Sequence, residues 1–192
     1  MSCVFRRAWQ HPGHMKHVLK IVAALALCAG LSAPAQPAPA APLSPASPPA
    51  GTAKTPTQVF DEVADVALQA MTKRAEELHI KGAALVAYIE GDSTKAWSSK
   101  MVVVGALKNA PSEKDRGANL LAIAYAKAAE MADTLKDSGH AGRPPMTGEL
   151  GWQGGLIKKG KSGYLLAAFS GGPSESDLKV SQAGLDVLAG SL

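Results

Sequence analysis

Residues 164–177 read Tyr-Leu-Leu-Ala-Ala-Phe-Ser-Gly-Gly-Pro-Ser-Glu-Ser-Asp, and this stretch decides the fold of the chain. The short apolar run over residues 164–169 predicts a buried strand. Ser170-Gly171-Gly172-Pro173 ends that strand, because glycine favours turns and proline cannot donate to a sheet. Ser174 and Asp177 then form a capping-box-like start to a helix. The stretch therefore predicts a strand that turns directly into the final helix.

Two hairpins are predicted to build the sheet. Leu156-Ile157-Lys158 and residues 164–169 flank the turn Lys159-Gly160-Lys161-Ser162-Gly163. Upstream, the apolar run 83–89 passes through Gly91-Asp92 into a second arm over residues 95–104. Both pairs have the β-branched and aromatic residues and the turn signals of antiparallel hairpins.

Two further segments have helical periodicity. The first begins at Thr57, a predicted N-cap, and closes at Gly82. The second covers residues 118–136. Their apolar residues recur at three- and four-residue spacing (Val59, Val63, Val66, Ala67, Ala70 and Met71; Leu120, Leu121, Ile123, Ala124, Ala128 and Met131). The order of helix, hairpin, helix, hairpin and helix predicts an α+β fold whose antiparallel sheet is flanked by helices.

The N-terminal segment is typical of export. Lys16 and Lys20 flank an apolar run over residues 18–31, and Ala33-Pro34-Ala35 follows as a cleavage site. We therefore expect residues 1–35 to be a signal peptide, with Met1 or Met15 as the start, and the protein to be periplasmic or secreted. The apolar run is too short for a membrane span. The alternative is a lipoprotein anchored at Cys28.

Removal of this leader changes the chemistry of the chain. Four of the 20 basic residues lie in it, so 16 remain against 16 acidic residues. This neutral balance does not favour nucleic acid as a partner. Both cysteines also lie in the leader, which leaves no thiol for a disulfide, a nucleophile or a cysteine zinc site. Residues 36–56, rich in Pro, Ala, Ser and Thr, predict a disordered tether before a folded domain over 57–192.

Several stretches of the sequence resemble the GlcG/HbpS family of haem-binding or haem-degrading domains, whose fold is similar to profilin. They are residues 85–89, Ser99-Lys100-Met101, the segment 124–129 with Lys127, and Gly154-Gly155-Leu156 followed by residues 170–177 and 182–184. The resemblance covers about residues 60–189. It implies a profilin-like antiparallel sheet, haem or a related tetrapyrrole as a non-covalent ligand, and a homo-oligomer.

The turn 170–174 is the strongest candidate for a binding site. Gly171 and Gly172 let the backbone approach a ligand closely, and the helix that starts at Ser174 presents free N–H groups to an anion. A haem propionate or a small carboxylate would suit it. The alternative is that these residues only turn the strand into the helix.

Three charged or metal-binding side chains are further candidates. Lys127 lies among alanines, where its ammonium group would reach a ligand carboxylate, unless it is a solvated or snorkelling lysine. In the loop 140–148, His140 would be an iron ligand and Arg143 a propionate partner, although loop histidines are common without a ligand. The aromatic residues Trp97, Trp152 and Tyr164 would wall a flat apolar pocket or fill a sheet face.

No catalytic constellation stands out in the sequence. The leading hypothesis is an exported, oligomeric domain that binds haem or a related tetrapyrrole. The main alternative is a module that binds small organic acids at the helix N-terminus without a metal. An oxidative haem-degrading enzyme, and an accessory protein that acts through a subunit or partner surface, are the other two hypotheses.

Overall fold

The computed structural model of the chain describes residues 53–192. Within this range the elements are α1 (Pro56–Glu77), β1 (Gly82–Glu90), β2 (Trp97–Val104), β3 (Lys108–Asn109), β4 (Ala118–Asn119), α2 (Leu120–Thr134), β5 (Gly155–Lys159), β6 (Gly163–Ser170) and α3 (Ser174–Ser191). The predicted signal peptide 1–35, and the tether up to residue 52, lie outside the described residues. No helix of residues 53–192 is long and apolar enough to cross a lipid bilayer.

The main sheet has four antiparallel strands in the order β2-β1-β6-β5. Strands β1 and β2 form one hairpin, and β5 and β6 form the other. The two hairpins are joined at the centre of the sheet, where β1 pairs with β6. The predicted α+β fold, with helices flanking an antiparallel sheet, is confirmed. The two-residue strands β3 and β4 form a separate small sheet that the sequence did not predict, because each is too short to have a pattern.

The central strand β1 is apolar on both faces because helices cover both sides of the sheet. Its even-numbered side chains pack with α1 and α3, and its odd-numbered side chains pack with α2. Tyr88 on the first face stacks against Phe60 of α1, with ring centroids 6.1 Å apart. The helix pair on one face and the single helix on the other make a three-layer domain.

Helix α1 differs from its prediction at both ends. Its N-cap is Thr55, which forms a capping box with Gln58, and Pro56 occupies the first turn. The predicted cap at Thr57 is therefore wrong by two residues. The helix ends at Glu77, since His79 takes a left-handed conformation with φ of 55°. The predicted stop, Gly82, is instead the first residue of β1.

Helix α3 begins where it was predicted, but its cap differs. Pro173 is the N-cap and no side chain caps the helix, so the predicted capping box of Ser174 and Asp177 does not form. Ser174 is the first helical residue. Asp177 is turned inward and buried, because its carboxylate has a partner on another element.

Close backbone contact between β1 and β6 generates a prediction. A Cβ added at Gly163 would lie 1.9 Å from the carbonyl oxygen of Ile89. We expect Gly163→Ala to lower the free energy of unfolding by roughly 1–3 kcal/mol, because the two strands must separate to admit the methyl group. Urea unfolding followed by circular dichroism measures the loss.

Gly190→Ala is the matched control. A Cβ at Gly190, near the end of α3, meets no atom within 4 Å. This substitution should leave stability unchanged or raise it by about 0.4–1 kcal/mol. Equal losses in both variants would contradict the proposed strand contact.

Candidate functional site

A cavity of about 190 Å³ lies where α2, β6 and the start of α3 meet. Four predicted site residues line it: Lys127, Gly171, Gly172 and Ser174. The structure therefore brings together the glycine turn and the lysine, which lie about 45 residues apart in the sequence. Other lining residues come from β3, from the loop before β5 and from the end of β6; among them are Asn109, Trp152, Gln153 and Ser170.

Lys127 forms a buried ion pair with Asp177. Its Nζ donates to Oδ2 of Asp177 at 2.8 Å and to the carbonyl oxygen of Phe169 at 2.7 Å. Lys127 is 2% exposed and Asp177 is 3% exposed, so the lysine is not the solvated or snorkelling residue of the alternative prediction. Oδ1 of Asp177 accepts the N–H of Gly172 at 2.9 Å. The pair thus ties α2 to both sides of the β6–α3 turn.

Burial and attraction act in opposite directions on this pair. Burial lowers the pKa of Lys127, and the charge and hydrogen bond of Asp177 oppose that shift. Burial likewise raises the pKa of Asp177, against the ammonium of Lys127 and the amides of Gly172 and Gly171. Each partner therefore favours the charged form of the other, and loss of one leaves the other as a buried group that favours its neutral form.

Ser170 contributes a hydroxyl group that the fold leaves without a partner. It is 4% exposed, lies on the α2 side of β6 by strand alternation, and lines the cavity. Its Oγ makes no hydrogen bond to residues 53–192, and it is accessible rather than sealed, because Oε2 of Glu130 is the one enclosed polar side-chain atom without a partner in this range. A hydroxyl at the wall of a cavity can bond to the group that occupies the cavity, so a ligand oxygen would be a partner for it.

The first turn of α3 adds backbone donors at the same place. The amides of Ser176 and Asp177 bond to the carbonyl oxygen of Pro173. The amides of Ser174 and Glu175 have no partner within the helix, because the first N–H groups of a helix precede its hydrogen-bond ladder. The positive end of the helix dipole lies there as well. Ser174 lines the cavity, so its amide is a hydrogen-bond donor there that suits an acceptor or an anion.

The structure places Arg143 and His140 away from this cavity, in the loop between α2 and β5. Arg143 donates to Glu149 at 2.7 and 2.9 Å and to Asp133 at 2.5 Å. These contacts fasten the loop to the last turn of α2. His140 is exposed in the same loop, and neither residue lines the cavity. In the described part of the chain, no three His, Cys, Asp or Glu side chains are grouped as metal ligands.

A wider groove of about 610 Å³ lies between the end of α2 and the start of β2. It is lined by Trp97, Thr94, Asp133 and three alanines. Neither this groove nor the 190 Å³ cavity has a histidine, cysteine or methionine among its lining residues. The cavity is also smaller than the roughly 300–1,000 Å³ of sites for drug-sized ligands. The residues at these two places therefore do not fit a haem, which needs both space and an iron ligand.

Sequence reasoning missed three residues of the cavity. Asp177 was assigned to a helix cap, and its carboxylate pairs with a lysine 50 residues away. Asn109 lies in a two-residue strand with no recognisable pattern. Gln153 lies in a loop, and nothing around it in the sequence points to a site. The one available signal was Lys127, a lysine among alanines in a predicted helix. If such a lysine is buried, its charge requires a partner.

Comparison with models of known protein families, with curated proteins and with solved structures finds no match for this chain. The resemblance to the GlcG/HbpS family stays a prediction from the sequence. The geometry of the cavity therefore carries the functional argument.

The buried ion pair generates a stability prediction. We expect Lys127→Met to lower the free energy of unfolding by roughly 3–5 kcal/mol, because the carboxylate of Asp177 stays buried without its cation. Adding Asp177→Asn should cost less in this background than in the wild type, since a neutral amide needs no cation. Guanidinium unfolding of both single variants and the double variant gives the coupling. Additive losses would show that the two side chains do not interact.

The ion pair of Arg143 and Glu149, in the loop between α2 and β5, generates a prediction about pH. Arg143 lowers the pKa of Glu149 from 4.5 to about 2, chiefly through its hydrogen bonds. The stability that Glu149 contributes is therefore complete above pH 4.5 and is lost as the pH falls through about 2. Titration of the Glu149 side-chain carbon by NMR should give this midpoint, and Arg143→Ala should return it towards 4.5. An unchanged midpoint in the variant would show that Arg143 does not lower the pKa of Glu149.

Proposed function

We propose that the domain binds a small organic acid, non-covalently, in the cavity at the β6–α3 turn. The observation that carries the proposal is the Ser170 side chain, which lines the cavity next to a helix N-terminus and whose hydroxyl has no partner among residues 53–192. A ligand oxygen would complete the hydrogen bonding of Ser170 and of the amide of Ser174, both of which line the cavity.

The charges around the cavity favour an acid with few negative charges. Lys127 is already paired with Asp177, so the pair contributes no net charge. The carboxylate of Asp177 is itself part of the lining, and it would repel a phosphate or another multiply charged anion. Neutral donors and the helix dipole supply the attraction instead. These features suit a single carboxylate better than a phosphate group.

The resemblance to haem-binding domains supports a ligand-binding role but does not decide the ligand. The cavity is small, and its lining lacks the usual iron ligands. Its donors bind and orient an acceptor, and we propose binding without catalysis. The organic-acid hypothesis therefore takes precedence over haem.

Blocking the cavity tests the proposal. We expect acetate and propionate, at millimolar concentration, to raise the melting temperature of the full chain, because a ligand that binds only the folded state stabilises it. Asn109→Trp should abolish the rise by filling the cavity. Inorganic phosphate should give a smaller rise than propionate, and haemin should give no saturable shift of its Soret band.

Lys108→Trp is the matched control. Lys108 precedes Asn109 on β3, and strand alternation points its side chain to the opposite face. It does not line the cavity. This variant should respond to propionate like the wild type. No response in the wild type, or equal responses in the two tryptophan variants, would overturn the proposal.

A further inference from the structure

We infer that the ligand of this cavity is an aromatic acid, whose carboxylate enters the cavity and whose ring remains outside against Trp152. The inference rests on the carboxylate site proposed above and specifies the rest of the ligand. Trp152 lines the cavity and is 53% exposed, so it forms part of the mouth. A large aromatic side chain left half in water at a polar cavity is a surface for contact with an apolar group.

The fold holds Trp152 close to the polar end of the site. Gly151 and Gly154 flank the Trp152-Gln153 segment with φ of 64° and 126°, conformations that side chains rarely adopt. A Cβ at Gly154 would lie 2.3 Å from Nζ of Lys127. The segment therefore packs directly against the buried lysine, and the indole is placed by the backbone beside the donors of the cavity.

Three further exposed hydrophobic side chains lie on the segments that contribute Trp152 and Asn109, but none of the three lines the cavity. On the same loop as Trp152, Met146 is 50% exposed and Leu150 is 38% exposed. Leu107, which is 44% exposed, precedes the strand that carries Asn109. Four of the large hydrophobic side chains that residues 53–192 expose thus lie on the two segments that border the cavity. Among these four, Trp152 is the one that lines the cavity, so it is the side chain placed to contact an apolar body joined to the bound acid.

The position of Trp152 divides the ligand into the same two parts. Ser170 and Ser174 line the cavity and would hold the carboxylate, whereas Trp152 lines the same cavity and is 53% exposed. A ring joined to the carboxylate by a short stem would reach the indole, which offers a flat apolar face. Aromatic pairs prefer offset or edge-to-face contact, which a half-exposed indole allows.

Isothermal titration of the full chain with propionate and with 3-phenylpropionate tests the inference. We expect 3-phenylpropionate to bind at least about tenfold more tightly, because its ring leaves water against Trp152. Trp152→Ala should reduce this preference to less than about threefold. Met146→Ala, which removes an exposed side chain that does not line the cavity, should retain the full preference.

The outcomes separate this inference from the proposed function. If propionate binds and Asn109→Trp abolishes its binding, but 3-phenylpropionate binds no more tightly, the aromatic inference fails and the carboxylate site stands. A tenfold preference that persists in Trp152→Ala also overturns the inference. If Trp152→Ala changes only the sedimentation coefficient, Trp152 contacts a second copy and the inference is wrong. If neither acid binds, both proposals fail.

Discussion

The ion pair of Lys127 and Asp177 is the interaction on which the rest of the site depends. A lysine in the apolar face of α2 is tolerated only with a partner, because an unpaired ammonium group is costly to bury. The partner comes from the first turn of α3, which fixes where that helix starts. The second oxygen of Asp177 takes the amide of Gly172 and so fixes the turn as well. One carboxylate thus sets the position of two helices relative to the end of β6.

The tight turn explains why glycine is needed beside this pair. A Cβ at Gly171 would lie 1.9 Å from the carbonyl oxygen of Lys81, so the turn passes directly over the start of β1. Because the charges of Lys127 and Asp177 cancel, both residues line the cavity without giving it a net positive charge. The remaining donors, from Ser170 and the amides of α3, are neutral. The structural pair and the proposed binding groups are therefore separate sets of atoms in one place.

Sequence patterns predicted the parts of the fold that depend on local periodicity. Both hairpins of the main sheet, its α+β class and the start of α3 at Ser174 follow from apolar spacing and turn residues. The N-cap of α1 was placed two residues too late, since Thr55 and Thr57 are chemically equivalent caps on either side of Pro56. The pairing of Lys127 with Asp177 has no local signal, because tertiary packing alone joins residues 50 positions apart.

The contacts of Arg143 are a second feature that tertiary packing decides and local sequence does not show. A loop arginine near a histidine suggested a ligand contact, but its donors are taken by Glu149 and Asp133. The sequence shows that Arg143 is charged and in a loop, and it cannot show which acid reaches it. Exposure has the same difficulty, because nothing in the sequence around Trp152 indicates that its side chain is 53% exposed in the folded domain.

The residues on which the family resemblance is based are largely those that build this corner of the fold. Lys127, the glycine turn and Asp177 position α2 and α3 around the end of β6. Asn109 and Trp152 line the cavity, yet both lie outside the stretches that carry the resemblance. Ser170 and Ser174 lie inside those stretches and also line the cavity, so some residues serve the fold and the proposed site together, whereas Asn109 and Trp152 bear on the site alone. A fold can host different ligands, so the ligand of this chain must be argued from the side chains around its own cavity.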